Sequence, residues 1–141
     1  MQTFLPYADF KKTSKCLDYK RLGKQRVEAM QIINLLEQHD NGEDISKLPW
    51  GNHPAVRMWI GHTEALKLYY NIIVQEWINR GYKNNMKCYD VKLGNNERFT
   101  PEWFGRKDFH DAHKSKLLQK DYKYYSKFKW NVPLDLEYKW E

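Results

Sequence analysis

The sequence predicts a single all-α domain of three main helices, with an extended N-terminal segment and an irregular, aromatic C-terminal tail. A chain of 141 residues fits one domain with a sizeable core. Two stretches place apolar residues at the spacing of a helix face, and a helix-start signal at 100–102 precedes the third helix.

The N-terminal segment, residues 1–6, is predicted to be extended because Pro6 disfavours a helical conformation at Leu5. A first long helix is predicted from an N-cap at Ser14 to about Gln38. One stripe of this helix is apolar and would pack into the core. The stripe consists of Leu22, Ala29, Ile33 and Leu36.

A polar loop is predicted at 40–53, and a second helix from Pro54, a residue favoured in the first turn, to Arg80. Its apolar residues cover more than half of the circumference, so we expect it to be the most buried element. The dipole of a long helix favours an anion near its start. This predicts contacts with an anion for His53 and Arg57.

Residues 82–100 are predicted to be irregular, since they contain Lys-Asn-Asn and Gly-Asn-Asn turn signals. A short helix is predicted at 101–105 and a third long helix at about 108–119. The last twenty residues follow neither a helix period nor a strand period, so we expect them to be irregular.

Two histidines of the third helix invite a metal interpretation. His110 and His113 are three residues apart with Asp111 between them, but no Cys pair or HExxH motif accompanies them. We therefore predict no metal site and no cofactor, and interpret the histidines as surface or phosphate-contacting residues. A metal-dependent nuclease is kept as an alternative hypothesis.

Positive charge is concentrated in two segments. Residues 11–26 carry a net charge of +6 and residues 106–129 a net charge of +5, within a total of +6. Two basic patches on an otherwise slightly acidic chain predict a polyanionic partner. Rings alternate with lysines at 120–130, where they could stack on bases, or alternatively close a small helical core.

The same composition bears on compartment and assembly. The longest apolar runs are far too short to span a bilayer, and no apolar signal segment opens the chain. Cys16 and Cys88 lie far apart and are interpreted as reduced thiols. We expect an intracellular monomer that makes no membrane contact.

Residues 18–29, DYKRLGKQRVEA, carry an unusual polar face at spacings of three, four and three residues, which one side of a helix presents together. Its members are Asp18, Arg21, Gln25 and Glu28. A solvated charged face is the ordinary interpretation. Glu28, however, would combine partial burial with cationic neighbours, and a carboxylate beside a neutral amine suffices for Schiff-base chemistry at a sugar C1′.

The chain's own amino terminus is the best-prepared amine for this chemistry. An α-amino group has an ordinary pKa of about 7.7–8.0, so roughly a tenth to a fifth is neutral at pH 7, against under about a thousandth of an ordinary lysine. The hypothesis requires that the fold bring the first residue to Glu28.

Five segments cover most of the chain in a fixed order: MQTFLPY at 1–7, LDYKRLGKQRVEA at 17–29, NHPAVRMW at 52–59, EWINRGY at 76–82 and FHDAHKSKLLQKDYKYY at 109–125. Together they resemble the pyrimidine-dimer DNA glycosylase/AP lyase family, typified by phage endonuclease V. The resemblance implies a compact helical domain whose N-terminal segment passes between three main helices. It also implies base excision through a Schiff base on the terminal α-amine, with Glu28 assisting base release and β-elimination.

The implied partner is double-stranded DNA carrying a lesion or a modified base, kinked by the protein and with a base extruded. Residues around Glu28 and on the third helix would hold its phosphates, and tail aromatics would lie against the lesion strand. The predicted DNA-binding residues are Arg21, Lys24, Gln25, Arg26, His53, Arg57, Lys116, Lys120, Tyr124 and Tyr125.

Two departures from the family pattern affect the site. Val27 stands where endonuclease V has an arginine before the catalytic glutamate, which shifts the cationic role to Arg21, Lys24 or Arg26 and leaves the lesion open to a different damaged pyrimidine. The bulky Gln2 should hinder removal of Met1, so either Met1 or Gln2 supplies the amine. A non-catalytic binder of distorted or single-stranded nucleic acid is the alternative to a glycosylase.

Overall fold

Two long helices, α2 (Tyr19–Asp40) and α4 (Thr63–Asn79), pack against each other at the centre of the protein. The computed structural model describes residues 1–92 and 99–141. The other helices of this part are α1 (Phe10–Cys16), α3 (Pro54–Arg57), α5 (Lys107–Lys120) and α6 (Tyr122–Tyr125), with 3-10 turns at Ile45–Lys47 and Ser126–Phe128. The described residues contain no strand, so the all-α prediction is confirmed.

The predicted first helix is interrupted. Asp9 accepts a hydrogen bond from the Lys12 N–H and so starts α1 earlier than predicted, at Phe10. Leu17 and Asp18 are extended, and the Asp18 N–H donates to the Tyr125 hydroxyl at 3.0 Å. A long-range contact with the tail therefore separates α1 from α2. The predicted apolar stripe of α2 is fully buried.

The predicted second helix is also interrupted. Residues 58–62 form a turn between α3 and α4, in which Gly61 has a φ of +83°. The buried Trp59 of this turn donates from Nε1 to Thr3 Oγ1 at 3.2 Å, and the Met58 carbonyl accepts from Trp103. Tertiary hydrogen bonds thus hold the turn, and the long helix begins only at Thr63.

The later elements agree in part with prediction. Helix α5 matches the predicted third helix, whereas 101–105 form a hydrogen-bonded turn and not a helix. Residues 82–92 and 99–100 are irregular as predicted, and the Gly-Asn-Asn signal at 94–96 lies outside the described residues. The tail is not wholly irregular, because the Asp121 side chain accepts from the Tyr124 N–H and caps α6.

The tail packs over the N-terminal segment. Tyr138 donates from its hydroxyl to the Thr3 carbonyl at 2.5 Å, and Trp130 donates from Nε1 to the Tyr7 hydroxyl at 2.8 Å. Residues 3–6 are buried by these contacts and by the helices beneath them. Within the described ranges, no helix has the length and apolarity that crossing a membrane requires.

Candidate active site

Two buried histidines of α5 hold the N-terminal segment. The Leu5 N–H donates to His113 Nδ1 at 2.9 Å, and the Leu5 carbonyl lies 2.7 Å from His110 Nδ1. His110 Nε2 accepts from the Gly105 N–H, so its proton is on Nδ1. His113 Nε2 in turn donates to the Lys139 carbonyl at 2.8 Å. The two rings therefore satisfy both backbone groups of Leu5.

This geometry corrects the interpretation of these histidines as surface or phosphate-contacting residues. His110 and His113 are 6% and 0% exposed, and every ring nitrogen is hydrogen-bonded to backbone. Burial lowers the pKa of His113 to about 3 and also lowers that of His110. Both rings are consequently neutral at physiological pH and act as backbone ligands of the N-terminal segment.

Gln25 of α2 holds the N-terminal segment closer to the start of the chain. Its Oε1 accepts from the Phe4 N–H at 3.1 Å and from the Tyr69 hydroxyl at 2.6 Å. Its Nε2 donates to the Gln2 carbonyl at 3.0 Å and to Glu28 Oε2 at 3.2 Å. Gln25 is 1% exposed and its amide is used inside the protein, and its contact with DNA stays a prediction.

The chain begins beside Glu28. The Gln2 N–H donates to Glu28 Oε2 at 3.2 Å, and Glu28 is half-buried. Met1 is half-buried against the core, and its α-ammonium group lies close enough to His53 to help lower the pKa of that ring. The fold therefore brings the first residues to the carboxylate that the sequence singled out.

A cavity of about 130 Å³ opens at this point, with the Glu28 carboxylate among basic side chains. It is lined by Gln2, Phe4, Lys20, Arg21, Lys24, Gln25, Glu28 and Lys120. Burial, followed by the charges of Arg21, Lys116 and Lys24, lowers the pKa of Lys120. The cavity thus combines one carboxylate, the second residue of the chain and a rim of cations, an arrangement suited to acid–base chemistry on a polyanion.

The sequence profile of the pyrimidine dimer DNA glycosylase family matches residues 1–90. The chain belongs to this family. It is thus a DNA-repair glycosylase of the pyrimidine-dimer type, and its substrate is DNA. No curated protein and no solved structure matches the chain. The matched range includes four of the five segments that carried the predicted resemblance, and the segment at 109–125 lies beyond it.

Lys20 completes the basic rim of this glycosylase and was missed by the sequence analysis. It lies four residues before Lys24, so the two lysines are neighbours on one face of α2. That spacing was the signal available in the sequence.

Arg26 does not belong to the site. Its guanidinium lies 4.0 Å from the centre of the Trp77 ring, and its Nη1 donates to Asn84 Oδ1 at 2.9 Å. Arg26 is not among the residues that line the cavity. Of the three cations proposed to replace the missing arginine, only Arg21 and Lys24 line it.

The neighbouring Val27 is 41% exposed and lies on a second, mainly apolar depression of about 610 Å³. This depression shares Lys20, Lys24 and Glu28 with the smaller cavity and is also lined by Trp77. Beside the Glu28 carboxylate this protein therefore has an apolar surface at the position where endonuclease V has an arginine.

Tyr124 and Tyr125, the two tail aromatics predicted to contact DNA, pack against the core. Tyr125 is fully buried, and its hydroxyl is hydrogen-bonded to Asp18, while its contact with DNA stays a prediction. Tyr124 is half-buried beneath the ammonium group of Lys127. The contacts of Tyr124 and Lys116 with DNA stay predictions.

The predicted anion site at the start of the second helix lacks its physical basis. Helix α3 has only four residues, so no long helix dipole begins at Pro54. Arg57 is exposed and donates from Nη2 to Asn52 Oδ1 at 2.8 Å. His53 instead caps α3, since its Nδ1 accepts from the Ala55 N–H at 3.0 Å.

Proposed function

We propose that this glycosylase excises a damaged pyrimidine, a pyrimidine dimer in the first place, through a Schiff base on its N-terminal amine and then cleaves the strand by β-elimination. The hydrogen bond between the Gln2 nitrogen and Glu28 carries this proposal. It puts the beginning of the chain within reach of a half-buried carboxylate inside a basic cavity.

The reaction needs an amine and a proton carrier. The neutral amine attacks C1′ of the damaged nucleotide, the glycosidic bond breaks, and the base leaves with the bonding electron pair. Glu28 then accepts a proton from the new C–N nitrogen and returns it to the sugar oxygen O4′ as the ring opens to the imine. Loss of a C2′ proton expels the 3′-phosphate and cleaves the strand.

Two identities of the amine are consistent with this scheme. Retention of Met1 would use the α-amine beside His53, whereas removal of Met1 would convert the Gln2 nitrogen, 3.2 Å from Glu28, into the amine. Intact mass measurement of the purified protein distinguishes the two. Whichever of Met1 and Gln2 carries the terminal amine is proposed as catalytic together with Glu28.

The basic rim is proposed to hold phosphates of a lesion-bearing duplex. Lys20, Arg21, Lys24 and Lys120 surround the carboxylate without neutralising it by a direct ion pair to its oxygens. We further propose that the functional unit is a single domain over residues 1–141, because the C-terminal tail covers the N-terminal segment through Tyr138 and Trp130.

The Lys24→Ala and Lys120→Ala variants should each bind undamaged and damaged duplex more weakly by a similar factor. Each lost phosphate contact is expected to reduce the magnitude of the slope of log K against log salt by about 0.9. Fluorescence anisotropy over a range of salt concentrations measures this slope.

Lys107→Ala is the matched control, since Lys107 lies thirteen residues before Lys120, or about 20 Å along α5. It is paired with Asp111 and strongly exposed. An equal decrease in slope for Lys107→Ala would show that the rim has no special part in DNA binding.

The mechanism is tested by reducing the reaction on abasic-site duplex with borohydride. The proposal expects a covalent protein–DNA adduct, and peptide mapping should locate it on the first residue of the chain. An adduct on Lys120 would remove the terminal amine from the mechanism. A protein that binds DNA in a salt-dependent way without an adduct or a product on any lesion would be a non-catalytic binder, and loss of cleavage in EDTA would indicate a metal-dependent nuclease.

A further inference from the structure

Three hydrogen bonds close a ring between the start of the chain and helix α2. The Gln2 N–H donates to Glu28 Oε2 at 3.2 Å, and the Gln2 carbonyl accepts from Gln25 Nε2 at 3.0 Å. Gln25 Nε2 also donates to Glu28 Oε2 at 3.2 Å. Both backbone groups of Gln2 are therefore held by two side chains that are themselves joined.

The partners of Gln25 determine which end of its carboxamide is oxygen. The Phe4 N–H can only donate, so the group that it faces must be Oε1. The Gln2 carbonyl and an ionised Glu28 can only accept, so the group that they face must be Nε2. A flipped carboxamide would set donor against donor and acceptor against acceptor. The amide therefore has one favourable orientation.

The opposite end of the carboxamide is anchored in the core. Tyr69 of α4 is fully buried, and its hydroxyl lies 2.6 Å from Gln25 Oε1. With the Phe4 N–H, it engages both lone pairs of this oxygen, while both N–H groups of Nε2 are used in the ring. A buried amide whose four hydrogen-bonding positions are all satisfied is rigid.

Without this amide, the Glu28 carboxylate would have a competing set of partners. Arg21, Lys24 and Lys120 line the same cavity, and an ion pair with any of them would turn the carboxylate away from the start of the chain. The Gln2 N–H alone is a single neutral donor. The second donor, from Gln25, favours the position beside Gln2.

We infer that Gln25 is a positioning residue of the reaction, which holds the Glu28 carboxylate against the first residues of the chain and away from the cations of the rim. The proton that Glu28 takes from the C–N nitrogen passes to O4′, and O4′ leaves C1′ with the bonding electron pair. Gln25 keeps both of its own hydrogens and acts only through Glu28 and Gln2. The inference rests on the proposed Schiff-base function and deepens it.

Two substitutions separate the donor to Glu28 from the rest of the Gln25 side chain. Gln25→Met removes every hydrogen bond of the amide, whereas Gln25→Glu retains two acceptor oxygens and loses the N–H donors. At about pH 8 we expect each variant to form the borohydride-trapped adduct about 100-fold more slowly, as for a reacting group displaced by about 1 Å. The rate is measured in a single turnover, with protein saturating the abasic duplex. The Kd of Gln25→Met for this duplex should equal that of the wild type.

Gln25→Glu should recover as the pH falls. Two carboxyl groups at hydrogen-bond distance share one proton, and the protonated group at position 25 can then donate its O–H to Glu28. Tyr69 does not titrate in this range, because burial raises its pKa well above the ordinary value. From about pH 8 to about pH 5, the ratio of the Gln25→Glu rate to the wild-type rate should rise about tenfold. The ratio for Gln25→Met should not change.

Gln75→Glu is the matched control, since Gln75 is exposed on α4 and bonded to Asn79. It should trap at the wild-type rate at both pH values. Rates are compared below the melting temperature of each variant. If Gln25→Met does not fold, the pH dependence of the Gln25→Glu ratio decides.

The possible outcomes separate the inference from the function on which it rests. Wild-type rates in both Gln25 variants would refute the positioning role and leave the glycosylase mechanism intact. A loss in Gln25→Glu that low pH does not relieve would show that the side chain secures the N-terminal segment without positioning the carboxylate. Weaker duplex binding with a wild-type rate at saturation would identify Gln25 as a DNA contact. A wild-type protein that gives no adduct would refute the Schiff-base proposal itself.

Discussion

The Glu28→Gln variant is expected to bind abasic-site duplex as well as the wild type and to form the covalent adduct about 1,000-fold more slowly, within the range for loss of a general acid–base group. The amide retains an acceptor oxygen for the Gln2 N–H and the Gln25 side chain, so the N-terminal segment should stay in place. It cannot carry a proton between the amine and the sugar. Quench-flow trapping on abasic duplex and base release from dimer-containing duplex measure the loss.

The expected effect of Glu28→Gln on DNA affinity differs in direction from its effect on adduct formation. Glu28 is the acidic residue of a cavity lined by Lys20, Arg21, Lys24 and Lys120, so neutralising it should leave duplex affinity unchanged or increase it. Glu43→Gln, at an exposed position just after the turn that ends α2, is the control and should behave as the wild type. Normal base release and normal trapping by Glu28→Gln would remove this carboxylate from the mechanism.

The part of the site that lies on one helix could be predicted from the sequence. Glu28, Arg21 and Lys24 face the same cavity because helical spacing alone brings them together. The same rule could not show that Arg26 stacks on Trp77 and bonds to Asn84, since those partners are more than fifty residues away. The local sequence shows toward which face of a helix a side chain points, but it does not show which distant residue that side chain contacts.

The interruptions of the two long helices have the same cause. No breaker residue stands at Leu17, and hydrogen bonds from the tail, above all those between Asp18 and Tyr125, explain the extended backbone there. At the second interruption, Gly61 was visible in the sequence, but the contacts of Trp59 with Thr3 were not. Helix periodicity predicted the buried stripe of α2 and failed where distant backbone or side-chain groups compete for hydrogen bonds.

The histidines of α5 show most clearly that residue spacing alone does not determine the role of a side chain. A pair three residues apart is compatible with metal ligands, with a phosphate contact or with a buried backbone clamp, and burial decides among them. His110 and His113 face Leu5 because the N-terminal segment crosses α5 at that turn. The sequence of α5 alone does not predict that the N-terminal segment crosses the helix there.

His113 should make the protein strongly sensitive to acid. Its pKa is about 3 in the folded protein, against an ordinary value of 6.5, so between these values the unfolded chain binds more protons and stability rises with pH. The contribution is complete above about pH 6.5 and is lost progressively as the pH falls toward 3. From pH 7.5 to pH 5 we expect this residue alone to lower the free energy of unfolding by about 2 kcal/mol. Urea unfolding at the two pH values measures the difference.

His113→Phe separates the titration of the ring from its hydrogen bonds. Phenylalanine leaves the Leu5 N–H and the Lys139 carbonyl without their partner, which should lower the free energy of unfolding at pH 7.5 by about 2–5 kcal/mol. It cannot be protonated, so the further loss between pH 7.5 and pH 5 should be about 2 kcal/mol smaller than in the wild type.

His39→Asn, which changes a half-exposed histidine, should retain the wild-type dependence on pH. If His113→Phe retained it as well, another group would be responsible for the acid sensitivity. Because Leu5 is three residues from the nitrogen that bonds to Glu28, His113→Phe should also slow adduct formation in the protein that remains folded. Loss of stability with an unchanged trapping rate would show that the clamp secures the fold without positioning the amine.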